Sequence, residues 1–93
     1  MNEERAKELC DELRQQIKLG PGTNARALGR VHQILEEFKS SGNDYTREKV
    51  VEAREDFEMW FTPRRWTRFA KTRGDFEQRL ISSIEKLRGS ISG

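Results

Sequence analysis

The residues best suited to recognition chemistry fall between Met59 and Arg73. This stretch holds both tryptophans, Trp60 and Trp66, with Phe61 and Phe69, and five cations (Arg64, Arg65, Arg68, Lys71, Arg73) without an intervening acid. Arginine forms two parallel hydrogen bonds to a carboxylate or a phosphate. An exposed tryptophan or phenylalanine fills a partner's pocket or stacks on a base. In a helix, Arg64, Arg68 and Lys71 share one face, and Trp66, Phe69 and Ala70 share another. Two readings therefore stand. Either the aromatics are anchors framed by cations, or Trp66 and Phe69 pack into a core. In the second case the arginines stay solvated or pair with Glu55, Asp56 and Glu58. Trp60, Trp66 and Phe69 are the candidate partner anchors. Arg64, Arg65, Arg68, Lys71 and Arg73 are the candidate charged contacts.

Other chemistry is sparse. Cys10 and His32 are the only thiol and imidazole. A Cys–His pair is nucleophilic only where the two meet, and nothing in the sequence places them together. Cys10 lies on an apolar stripe, where a buried, inert thiol is expected. One histidine and one cysteine do not make a zinc site. No carboxylate falls in an apolar setting that would raise its pKa for acid–base work. Gly20-Pro21-Gly22-Thr23 precedes a helix carrying Arg26 and Arg30, and such a helix start attracts anions. It lacks the lysine followed by serine or threonine that a phosphate-binding loop carries after its glycines, so an ordinary loop is expected. Arg73-Gly74-Asp75 spells the integrin-binding tripeptide, but a helix stop followed by an N-cap explains the same residues. The expectation is a chain without catalysis, cofactor or metal.

These side chains must be positioned by helices. Ala6, Leu9, Cys10, Leu13 and Ile17 recur at three- and four-residue steps and predict a helix over 2–18. Gly20-Pro21-Gly22 ends it. Thr23 or Asn24 then caps a second helix to about Lys39, with Ala27 or Leu28, Val31, Ile34 or Leu35, and Phe38 along its seam. Gly29 within it suggests a close approach by a neighbouring helix. After a turn at 40–44, Thr46 or Asp44 caps a third helix to about Phe61. Val50, Ala53, Phe57 and Trp60 form its stripe. Glu48, Glu52, Glu55, Asp56 and Glu58 form an acidic outer face. Thr62-Pro63 has the form of a helix restart and predicts a short helix over 63–72. Gly74 breaks the chain again. Asp75 and Gln78 have capping-box spacing for a last helix to about Leu87, built on Phe76, Leu80, Ile84 and Leu87. Residues 89–93 are expected to fray. No strand pattern or internal repeat is found.

The totals agree with a small helical object. The chain has 93 residues, 33% hydrophobic and 37% charged, against averages of roughly 45–50% and 25%. One domain, 1–93, with a thin core is expected. A thin core is often supplemented by a partner or by self-association. A single cysteine rules out an internal disulfide framework, and with no signal-like stretch it suggests a cytoplasmic setting. No apolar run approaches the ~20 residues of a membrane span. The net charge of +2 is uneven: residues 1–61 carry ten Lys/Arg and thirteen Asp/Glu, and residues 62–93 carry eight and three. That asymmetry calls for an anionic partner or an acidic neighbouring surface.

The sequence thus predicts an all-α bundle of four main helices plus one short helix after Pro63. It is expected to be a non-catalytic interaction module (an adaptor, inhibitor or regulatory domain) that binds a protein through 60–73, with homo-oligomers possible. The alternative is a nucleic-acid-binding protein using the same cations on phosphates. The isoelectric point near 8.9 sits just below the range of dedicated nucleic-acid domains. Acids at Asp75 and Glu77 disfavour the last helix as a groove reader.

Overall fold

The structure, a computed structural model of the chain, describes residues 1–62 and 73–91. Among these residues there are four helices and no strand. They are α1 (Glu3–Lys18), α2 (Ala25–Ser41), α3 (Asp44–Trp60) and α4 (Arg73–Ile91). The short helix predicted over 63–72 lies outside the described residues.

Asparagine starts each of the first three helices. Asn2 Oδ1 accepts from the Arg5 N–H at 2.8 Å. Asn24 Oδ1 accepts from Ala27 at 3.0 Å, and Asn43 Oδ1 accepts from Thr46 at 3.0 Å. Each such bond satisfies an amide that has no intrahelical partner, worth about 1 kcal/mol. The expected cap of α3 is therefore corrected. Asn43 holds that position, and Asp44 is already helical. Thr46 completes a capping box, its Oγ1 accepting from the Asn43 N–H at 3.3 Å. The side-chain oxygen of asparagine is better placed here because Thr46 can then return the bond.

Helix α1 stops as expected. Gly20, at φ +85°, takes the left-handed conformation that turns the chain out of the helix. Two other boundaries differ. Gly74 does not break the chain but lies in the first turn of α4. The same helix runs through Gly89 and Ser90 to Ile91, so 89–91 are ordered rather than frayed. Ile91 packs against the core, and that contact holds the last turn despite glycine's low helix propensity.

Helices α1 and α2, α2 and α3, α3 and α4, and α4 and α1 pack on one another, so the four close into a bundle. The short α1–α2 and α2–α3 connections make those neighbours antiparallel. One core runs through the bundle. It takes the α1 stripe from Ala6 to Ile17, and Ala27, Val31, Ile34, Leu35 and Phe38 from α2. Val50, Ala53, Phe57, Met59, Trp60 and Phe61 join from the α3 side, and Phe76, Leu80, Ile84 and Leu87 from α4. Burying each large aliphatic or aromatic side chain contributes roughly 1.5–3 kcal/mol. No expected stripe residue points outward. Leu28, the alternative to Ala27, packs against the core from its edge.

Two further expectations are overturned. Asp56 does not belong to the acidic outer face: it is 3% exposed. It lies on the Ala53–Trp60 stripe and faces α4. Gly29 does not admit a neighbouring helix, because a Cβ placed there would meet nothing within 4 Å.

Candidate interaction site at the Trp60–Arg73 end

The end of α3, the loop after α1 and the start of α4 meet at one end of the bundle. The Gly22 N–H donates to the Trp60 carbonyl at 3.1 Å. The chain then closes α3 with Phe61 N–H to Phe57 O at 3.0 Å and Thr62 N–H to Met59 O at 3.2 Å. Arg73, eleven positions beyond Thr62 in the chain, comes back to the same place. Its guanidinium carbon lies 5.9 Å from the Trp60 ring centroid, a cation–π arrangement. The guanidinium also lies against Gly20, where an added Cβ would stand 3.4 Å from Nη2. Arg73 Nε reaches Glu77 Oε1 at 3.2 Å. Both ends of the 62–73 connection are therefore fixed at one end of the fold.

Trp60 is fully buried. Its ring meets Phe76 at 5.5 Å between centroids, tilted by 33°, a favourable offset geometry. It serves as core at this end, and no part of it is offered to a partner as a surface anchor. Its indole Nε1 is buried without a hydrogen-bond partner. Arg73 is exposed, at 56% of its side chain, and is the candidate contact that the described residues place at the surface. Arg64, Arg65, Trp66, Arg68, Phe69 and Lys71 lie outside the described residues.

More cations stand at this end than the segment itself carries. Lys18 ends α1 and Arg26 opens α2, both exposed. The acids nearby already have partners. Glu77 holds Arg73. Glu58 Oε1 lies 3.5 Å from Arg54 Nε and 3.2 Å from His32 Nε2. His32 approaches Glu58 without hydrogen-bond geometry, which leaves Nε2 buried and unpartnered. The exposed cations Lys18, Arg26 and Arg73 thus share this end of the bundle with the acids Glu58, Asp75 and Glu77.

The start of α2 opens on a cleft of about 570 Å³ lined by Gln16, Asn24, Arg26, Arg30 and Gln33 among others. Its means of holding an anion are partly spent. Asn24 occupies the Ala27 amide. Arg30 makes a two-point ion pair with Glu12, its Nη2 2.9 Å from Oε1.

The carboxylate that sequence reasoning missed is Asp56. Arg79 Nε donates to Oδ1 and Ser83 Oγ donates to Oδ2, each at 3.0 Å. Burial raises its pKa above the ordinary aspartate value, outweighing Arg79 and the two hydrogen bonds. The clue was available: Asp56 continues the α3 stripe, and Ser83 continues the α4 stripe at Phe76–Leu80–Leu87. Two polar residues on facing apolar stripes can satisfy one another. The arrangement pins α3 to α4. It has no imidazole to act as base, so it is not a nucleophilic triad.

Cys10 and His32 face different neighbours. Cys10 Sγ lies 3.7 Å from the Ile84 carbonyl of α4, and burial raises its pKa to about 11, away from a reactive thiolate. No described helix is long and apolar enough to cross a membrane. The described residues also include no group of three metal-ligating side chains. Comparison with protein-family models, curated proteins and solved structures gives no significant match.

Proposed function

We propose that this chain is a non-catalytic helical interaction module that binds a protein partner through the segment 60–73. The observation that carries the reading is the double anchoring of that segment: Thr62 and Arg73 meet at one end of the bundle, with Arg73 against Trp60. A connection held at both ends loses less conformational entropy when it binds. Its five cations stand without an acid from Met59 to Arg73, and their charge favours an acidic partner surface. The test replaces Arg64, Arg65 and Arg68 with alanine and compares partner capture from nuclease-treated lysate. Roughly tenfold weaker capture is expected, the scale at which interface arginines matter. Unaltered capture overturns the reading.

A second reading has its own observation. With Trp60 in the core, the described surface here offers Lys18, Arg26 and Arg73 rather than an exposed tryptophan. Such a surface suits a phosphate backbone. Binding to mixed DNA and RNA at two salt concentrations separates the readings. About five phosphate contacts would cost on the order of a hundredfold in affinity between roughly 50 and 200 mM salt. No binding at low salt removes this reading.

A further inference from the structure

Helices α1 and α4 leave a groove between them, lined by Arg14, Ile17 and Lys18 on one side and Glu77 and Ile81 on the other. Its volume is about 230 Å³, below the ~300–1,000 Å³ usual for small-molecule sites. That size suits one inserted side chain rather than a cofactor. The floor is aliphatic, from Ile17 and the half-buried Ile81. The described rim carries two cations, Arg14 and Lys18, to one acid, Glu77. Arg14 leans on Asp11 at 3.1 Å, and Lys18 is exposed. Glu77, the one acid among the described lining residues, is paired with Arg73. Through the Glu77–Arg73 pair the groove lies beside the end of the bundle where Arg73 lies against Trp60 and Gly20.

We propose that this groove receives an acidic segment of a protein partner, which inserts one aliphatic side chain between Ile17 and Ile81 and sets its carboxylates against Lys18 and Arg14. The proposal rests on the reading that this end of the bundle is an interaction surface. Charge decides the occupant. The chain's own connection carries Arg64, Arg65, Arg68 and Lys71 and no acid, so it offers no charge complementary to Lys18 and Arg14. A nucleic acid matches the rim but has no aliphatic side chain for the floor. An acidic peptide carrying leucine satisfies both. An apolar anchor surrounded by charge pairs is also the arrangement from which small interfaces gain most of their affinity.

The probe is a labelled peptide repeating Glu-Glu-Leu, compared by fluorescence anisotropy with the same peptide carrying serine for leucine. The wild-type chain should bind the leucine peptide several-fold more tightly. Lys18→Glu, an exposed change that leaves the core intact, should weaken both peptides by about tenfold. Ile81→Ser should bring the leucine peptide down to the level of the serine peptide, with helical circular dichroism retained. Equal affinity of wild type for the two peptides overturns the proposal. So does unchanged discrimination in Ile81→Ser, or binding of an oligonucleotide in place of either peptide. Failure here is distinct from failure of the functional reading. If the change of Arg64, Arg65 and Arg68 abolishes capture while the groove variants leave the peptides unaffected, the reading stands and the groove does not.

Discussion

Asp56 shows what one residue can do to the balance of this fold. A carboxylate 3% exposed is costly unless paired, and this one has Arg79 and Ser83. Burial still wins, and the folded pKa is raised. A group of this kind holds its proton more tightly in the folded state. Its contribution is fully present below the ordinary aspartate value and is lost as pH rises through the higher folded value. Wild type and Asp56→Asn should therefore converge or cross as pH climbs from the ordinary aspartate range toward neutrality. Denaturant unfolding at several pH values measures the difference. A wild-type advantage that grew with pH would mean that Arg79, not burial, dominates. Cys10 makes the parallel case for a neutral group. With its thiol pushed up to about 11 by burial, a disulfide reagent should label it only as fast as the bundle opens. Immediate labelling of the native chain would contradict the packing at Ile84.

At the scale of elements, periodicity carried nearly all of the fold. The stripes of α1, α2, α3 and α4 were readable because helical spacing and burial are one geometric fact. What periodicity could not settle was where each helix ends. Asn2, Asn24 and Asn43 are all caps, yet a sequence offers several candidate caps within a few residues, and only the hydrogen bonds decide among them. Gly74 read as a break, and the stretch from Gly89 as a frayed tail, because glycine is a poor helix former. Apolar packing, with Phe76 in the core and Ile91 against it, overrides that preference. The candidate site was readable as composition but not as placement. Trp60 and Arg65 look alike as members of a basic aromatic run. Burial removes Trp60 from the surface, and no spacing rule marks Lys18 or Arg26 as its spatial neighbours. Glycine offers the test at this scale. At Gly29 an added Cβ meets nothing within 4 Å, so Gly29→Ala should stabilise the chain by about 1 kcal/mol. At Gly42 the same atom would stand 2.3 Å from the Thr46 Cβ, and Thr46 is buried in its capping box. Gly42→Ala should destabilise. Thermal melting of the two variants should therefore move in opposite directions.

Across the whole molecule, charged groups on two seams respond to pH with opposite signs. The α3–α4 seam includes the buried Asp56. The α1–α2 seam is bridged at its surface by two arginine–glutamate pairs, Arg5 with Glu37 at 2.8 Å and Arg30 with Glu12. The arginine in each pair lowers the pKa of its glutamate, chiefly by donating hydrogen bonds. A lowered folded pKa carries the opposite sign to that of Asp56. The contribution of Glu12 and Glu37 is present above the ordinary glutamate value and is lost as pH falls through the lower folded values. The two seams should therefore respond to acid in opposite ways, α1–α2 loosening where α3–α4 tightens. Glu12→Gln with Glu37→Gln should melt below wild type at neutral pH and approach it in acid. Both glutamates are partly exposed, at 36% and 40%, so the neutral-pH gap should be small and should shrink with added salt. A gap that persisted in acid would mean that packing, not charge, joins α1 to α2. The groove proposed for a partner lies on another seam, α1–α4. Neither pair of titrating residues touches it, so acid should alter the stability of the bundle without removing the Lys18 and Arg14 charges that the acidic peptide needs. Leucine-peptide binding by the double glutamine variant should equal that of wild type, and a loss of binding would place the peptide on the α1–α2 side instead.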